Sequence, residues 1–144
     1  MEVVFLRENV VGQTKAVGFQ IGVRRTFPIS HKEAWKLITS KEVLSLWLGN
    51  VKSFPLQKGE TFSSEMGKGE IRVIKPLQQI RLTWQKEKWE KTSTVQIRIL
   101  HKEENKTTIS FHQEHLSDES VREEMKELWE KVLNLIKEQI ESAE

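Results

Sequence analysis

From Ser117 to Ser142 the chain contains no glycine and no proline. Within that stretch Val121, Met125, Leu128, Trp129, Val132, Leu135, Ile136 and Ile140 recur at spacings of three and four. That spacing places them on one stripe of an amphipathic helix. Ser117 or Asp118 can cap its start, and Glu119, Glu123 and Glu124 suit the positive end of the helix dipole. A helix of about 25 residues is on the order of 37 Å long, enough to cross an entire small sheet. Its apolar stripe has to be buried against something, and the rest of the chain must supply it.

The rest of the chain reads mainly as strands. Val17, Phe19, Ile21 and Val23 alternate with Gly18, Gln20, Gly22 and Arg24. Ile80, Leu82 and Trp84 alternate with Arg81 and Thr83, and Val95, Ile97 and Ile99 with Gln96 and Arg98. Ile109 and Phe111 alternate with Ser110 and His112. Each pattern is a half-buried strand with one dry face, as in antiparallel sheets. Two shorter strands are expected at Thr61–Glu65 and Glu70–Ile74, joined by a turn at Gly67-Lys68-Gly69. Asn105 marks a hairpin tip. Pro28 ends the first strand, and Ser30-His31-Lys32-Glu33 reads as a capping box opening a short helix over Ala34–Ile38. A second short helix over Glu42–Leu48 stops at Gly49.

These elements predict an α+β fold. A curved antiparallel sheet of about six strands has two short helices after its first strand and the long C-terminal helix across it. Twist keeps helix and sheet from touching everywhere. The gap between them is therefore either a cavity or a core filled by side chains. No internal repeat, low-complexity tract or flexible linker interrupts the chain, so one domain over residues 1–144 is expected. Residues 1–16 are expected to add an extra strand or a loose arm.

Charge and composition narrow the function. The 144 residues contain no cysteine, which excludes disulfides, thiolate nucleophiles and cysteine-ligated metal centres. Lysine and arginine number 23 against 21 acids, a formal charge of +2 that carries no strong nucleic-acid signature. The charge is unevenly spread. Residues 117–144 hold nine acids and four bases, leaving +7 on residues 1–116. The helix is expected to fold back on this basic body so that the two fields partly compensate. The longest apolar run near the N-terminus, Val3–Leu6, is too short for a signal-peptide core or a membrane span. A cytoplasmic protein without membrane contact is expected.

Few residues suggest reaction chemistry. His112-Gln113-Glu114-His115 has histidines three apart, which on a strand point to opposite faces and suit no metal. By parity with Ile109 and Phe111, Gln113 and His115 point inward. His115 is then either a base or ligand contact near a cavity mouth, or a histidine hydrogen-bonded at the strand end. Arg25 shares the parity of Phe19, Ile21 and Val23. It either faces inward and needs an anion, or reaches solvent where the strand twists. Glu103-Glu104 and Glu123-Glu124 read as solvated surface. Trp84–Lys91 interleaves lysines, glutamates and aromatics and reads as a loop rather than a phosphate track. There is no nucleophile elbow, phosphate-binding glycine loop or dinucleotide fingerprint, so no cofactor is expected. Trp47, Phe62, Trp84, Phe111, Met125 and Trp129 come from the second short helix, the sheet and the long helix. They are candidates to line one cavity, or to form the core.

The pattern resembles a known family. The run Arg25-Thr26-Phe27-Pro28-Ile29-Ser30, then Glu33-Ala34-Trp35-Lys36-Leu37-Ile38-Thr39, resembles the opening of the activator of heat shock protein 90 ATPase homologues. These belong to the START/Bet v-like (SRPBCC) helix-grip superfamily. Leu46-Trp47, the Lys75-Pro76 turn before Ile80–Trp84, and Thr107–His115 before a helix carrying Trp129, Leu133 and Ile136 extend the resemblance over about residues 17–141. One departure is Leu128, where the family usually has glycine; its side chain would crowd the cavity. The resemblance implies a helix-grip fold and three functions, in order of preference. The first is binding of a small apolar or amphipathic ligand between sheet and C-terminal helix. The second is a co-chaperone-like role stimulating heat shock protein 90 ATPase. The third is a polyketide cyclase-like enzyme, for which His115 and Arg25 are the candidates.

Overall fold

Side-chain caps set where the helices of the described residues begin. The structure is a computed structural model that describes residues 13–14, 18–51 and 54–143. In α1 (His31–Ile38) the Ser30 hydroxyl accepts from the Glu33 amide at 3.2 Å, and the Glu33 carboxylate accepts from the Ser30 amide at 3.3 Å. That is the reciprocal capping box the sequence predicts. Ser40 caps α2 (Lys41–Trp47) through the Val43 amide. Gly49, at φ +88°, turns the chain away after α2 in a left-handed conformation that glycine adopts at low cost. Asp118 caps α3 (Glu119–Ser142), its carboxylate accepting from the Val121 amide at 2.8 Å.

Among the described residues seven antiparallel strands form one sheet in the order β1-β2-β7-β6-β5-β4-β3. They are β1 (Gln13–Thr14), β2 (Gly18–Phe27), β3 (Thr61–Ser63), β4 (Gly67–Lys75), β5 (Gln79–Lys86), β6 (Ser93–Glu103) and β7 (Lys106–Leu116). The strand beyond the expected six is β1, two residues paired to Phe19 and Gly18. The remainder of residues 1–12 lies outside the described residues, as do 15–17. The architecture is the α+β helix-grip fold. The apolar stripe of α3, with Met125, Trp129, Val132, Leu133 and Ile136 buried, lies across the inner face of the sheet. Ile21, Ile71, Leu82, Ile97 and Ile109 face it from five different strands.

Gly67, Lys68 and Gly69 are not the turn between β3 and β4. They belong to β4, and Ser64–Met66 makes the turn, with the Ser64 amide bonded to the Gly67 carbonyl at 2.8 Å. The reason is steric. A Cβ on Gly69 would collide with the Thr83 carbonyl and stand 2.7 Å from the Phe62 ring. One on Gly67 would collide with the Gln85 carbonyl and stand 2.9 Å from the Trp84 ring. These glycines let β4 approach β5 closely and leave room for two aromatic rings, a use of glycine in a strand that looks like turn chemistry in sequence.

The acidic helix folds back on the basic body, as expected, and meets it mainly through apolar side chains. α3 turns its apolar side to the sheet and leaves Glu119, Glu123, Glu127 and Glu130 exposed, together with Lys131 and Lys137. Arg24, Arg81 and Arg98 stand exposed on the far side of the sheet. Apolar burial brings the two layers together and sends their charges to opposite sides of the molecule. The ion pair that joins α3 to the sheet among the described residues is Lys86–Glu124, at 2.6 Å.

Candidate functional site

The aromatic residues singled out from sequence meet one another inside the grip. Trp129, on α3, stacks on Phe111 of β7 with ring centroids 4.7 Å apart and planes 12° apart. Its other neighbour is Trp47 of α2, at 5.0 Å. Trp47 meets Trp84 of β5 edge-on at 6.2 Å, and Trp84 stacks with Phe62 of β3 at 6.3 Å. Phe54 continues the series, 5.5 Å from Phe62. Exposures of 0 to 1% at Trp47, Trp84, Phe111, Met125 and Trp129 leave no water-sized space against those side chains. Aromatic pairs in such offset and edge-on arrangements add about 0.5–1.5 kcal/mol each beyond the area they bury.

A chain of buried hydrogen bonds fixes the centre of this set. The Trp129 indole N–H donates to the Gln113 side-chain oxygen at 2.9 Å. The Gln113 amide nitrogen donates to the Ser93 hydroxyl at 2.9 Å, and that hydroxyl donates to the Trp84 carbonyl at 2.6 Å. Gln113 is fully buried and Ser93 is 1% exposed. Each polar atom left unpaired there would cost about 1–3 kcal/mol, so the relay holds α3 to β5, β6 and β7 in one register. Parity predicts an inward Gln113; its partners come from two other elements, α3 and β6, and are not visible in its own strand.

Two clefts reach the end of the aromatic series. One, of about 220 Å³, is lined by Leu44, Gly49, Val51, Phe54 and Leu56. Leu56, at 41% exposure, is the exposed large apolar side chain among the described residues. The other, of about 490 Å³, reaches Phe62 from the outer face of the sheet, where Ser63, Lys68, Thr83 and Gln85 line it. Two more clefts flank the C-terminal end of α3. Pro28, Ile29, Leu37 and Ile140 line one of about 400 Å³ against α1. Arg25, Phe27, Asn134 and Ile140 line one of about 530 Å³ against β2. Leu128, at the position where the resemblance calls for glycine, is half-buried on α3.

The two residues proposed for catalysis are not brought together. His115 does not follow the inward parity of Ile109, Phe111 and Gln113. Its φ of +67° reverses the alternation, and Leu116 takes the buried position instead. The imidazole Nδ1 lies 3.5 Å from the Thr94 hydroxyl. Arg25 is half-buried and donates to the Asn134 side-chain oxygen at 2.9 Å; an amide oxygen, rather than an anion, faces it. Arg25 pairs with Ile109, six residues before His115 on β7, which separates the two by about 20 Å along the strand. His112 bonds Gln20 at 3.0 Å, on a different strand from the partner of His115. Among the described residues no three of His, Cys, Asp and Glu group to hold a metal ion. None of the helices described is long and apolar enough to cross a membrane.

Comparison with known proteins adds a lineage to this geometry. Residues 28–141 match the model of a family described as "Activator of Hsp90 ATPase homolog 1-like protein". A comparison with curated proteins returns no match. Solved structures share the fold. CalU16 from Micromonospora echinospora superposes with a TM-score of 0.68 at 20% identity, over 81% of this chain and 73% of that one. An HSP90 activator from Plasmodium falciparum superposes with a TM-score of 0.72 at 19% identity, over 84% of this chain and 95% of that one. Protein CV1439 from Chromobacterium violaceum gives 0.67 at 16% identity, over 80% and 92%. At these identities the structural likeness concerns the fold alone.

Proposed function

Because the chain belongs to the Activator of Hsp90 ATPase homolog 1-like protein family, we propose that it acts by contact with another macromolecule, as a co-chaperone-like domain stimulating heat shock protein 90 ATPase. The observation that carries this reading is the packing of the aromatic set. Trp47, Trp84, Phe111, Met125 and Trp129 are at most 1% exposed and are satisfied by one another and by the Gln113 relay. An interior used up in this way leaves the surface as the working part of the molecule. The Plasmodium falciparum neighbour, itself described as an HSP90 activator, has the same fold and supports the choice of partner. The test is the ATPase rate of purified heat shock protein 90 with and without this protein. Stimulation that saturates with added protein is expected. An unchanged rate at large excess would sink the proposal.

A second reading has its own support. Phe54 joins the aromatic series to the cleft of about 220 Å³ at the surface. A small apolar or amphipathic ligand entering there would displace side chains and lie among Trp47, Phe62, Trp84, Phe111, Met125 and Trp129. Native mass spectrometry of protein purified without detergent, with tryptophan-fluorescence titration against lipids and aromatics, tests it. Absence of both a bound mass and a saturable quench removes this reading.

A further inference from the structure

The outer face of the sheet carries charge that the fold itself does not use. Strand register sets Arg24 opposite Ser110, Ser110 opposite Arg98, Arg98 opposite Gln79 and Gln79 opposite Lys75. Residues paired across antiparallel strands share a face, so these five form one row over β2, β7, β6, β5 and β4. Neighbouring strands are about 4.8 Å apart, and the backbone positions that carry the cations, at alternate strands, are therefore about 10 Å from each other. All three of them are exposed. Arg81 extends the patch, two residues along β5 on the same face and also exposed. The carboxylates of this face lie elsewhere. Glu114 is 4.0 Å from Arg81 and Glu70 is 3.6 Å from Arg72. Glu70 and Glu114 belong to a common row about 13 Å from the cation row, through Thr83 and Thr94. Among the described residues no carboxylate comes within 4.0 Å of Arg24, Arg98 or Lys75.

We propose that this row is a docking surface for an acidic protein segment, an α-helix with carboxylates seven residues apart. Seven residues of helix rise about 10.5 Å, which matches the cation spacing. Arginine and lysine in a flat, polar setting pair with carboxylates without burying an unsatisfied charge. Ser110 and Gln79, between the cations, can hydrogen-bond the peptide's polar side chains. Two other polyanions fit less well. The face exposes no large apolar side chain to anchor in a lipid surface, since Leu56 lies beside α2. Among the described residues its aromatic side chain is the His112 imidazole, half-buried and bonded to Gln20, which gives bases little to stack on. The inference rests on the reading that the protein works by macromolecular contact, and it names the surface and the chemistry of the partner.

The experiment uses the full chain and a synthetic alanine-based helical peptide with glutamate at every seventh position. Its glutamine counterpart, vesicles containing anionic lipid, and a DNA duplex serve as comparators. The glutamate peptide is expected to bind at 20 mM salt, weakening about tenfold by 200 mM as screening shortens the reach of the charges. Arg24→Gln/Arg98→Gln is expected to weaken it about tenfold further, with unchanged circular dichroism. Lys131→Gln/Lys137→Gln, on exposed positions of α3, is expected to leave binding as it is. Equal binding of the glutamine peptide, equal losses in both double variants, or tighter binding of vesicles or duplex would each overturn the proposal. So would self-association at low salt that Arg24→Gln/Arg98→Gln abolishes, because the occupant would then be a second copy. The same variant in the ATPase assay separates the two readings. Wild-type stimulation retained by Arg24→Gln/Arg98→Gln leaves the chaperone reading standing and removes this surface. Peptide binding without any stimulation does the reverse.

Discussion

The two faces of one sheet are built from alternate residues of the same strands and are solved by different physics. On the inner face Ile97, Ile109, Phe111 and Leu82 are at most 1% exposed, and their positions follow from the need to bury apolar area against α3. On the outer face Arg98 and Arg81 stand exposed and Ser110 is half-buried. The inner face is constrained residue by residue, because a packed interior resists changes of even one methylene. The outer face is constrained only as a pattern. The contrast teaches that stability and recognition can be changed separately in this fold, even at neighbouring positions of one strand.

Variants can break that separation if it is wrong, and Trp129→Ala has the largest expected effect. It empties the centre of the aromatic set and orphans the Gln113 oxygen, for an expected loss of about 3–5 kcal/mol in urea unfolding. A loss under about 1 kcal/mol would mean that the interior is looser than its packing implies. Gly69→Ala comes next, at about 1–3 kcal/mol by the same measurement, since its methyl group meets the β5 backbone rather than a movable side chain. An unchanged midpoint would show that β4 can move away from β5 without cost. Gln113→Leu keeps the volume roughly constant and removes the relay, with an expected loss of about 1–3 kcal/mol. Its decisive readout is the indole N–H resonance of Trp129. That resonance should shift and exchange faster, and an unaltered resonance would mean that the bond does not persist in solution. The smallest effect belongs to the outer face. Arg24→Gln/Arg98→Gln should change the unfolding free energy by no more than about 0.5 kcal/mol while altering acidic-peptide binding. A destabilisation as large as that of Gln113→Leu would end the claim that the faces are independent.

Much of the inner face is legible in the sequence for a simple reason. Period-two and period-3.6 patterns record burial directly, so α3, the Ser30–Glu33 cap and the strands through Leu82, Ile97 and Phe111 can be read from spacing alone. His115 escapes that reading because alternation assumes extended backbone, and one left-handed residue resets it. Gly67 and Gly69 escape because a glycine that admits a close neighbour and a glycine that turns the chain are the same letter. The Gln113 relay escapes because its members lie on β6, β7, β5 and α3. The basic row escapes most completely. Arg24, Lys75 and Arg98 are scattered over more than half of the chain, and only strand register lines them up.

The separation of charge between helix and sheet also bears on how this protein would meet anything at all. With a net excess of acids on the helix and of bases on the outer row of the sheet, the molecule has a direction in an electric field. A charged partner would exert a torque on it from about a Debye length away, roughly 8–10 Å in physiological salt. Tumbling would then no longer be random at the last few ångströms. A larger fraction of collisions would arrive with the correct side forward, and that fraction would fall as salt rises. Orientation before touch is thus a kinetic property of the fold, set by which way two layers turned their charges when they buried their apolar sides.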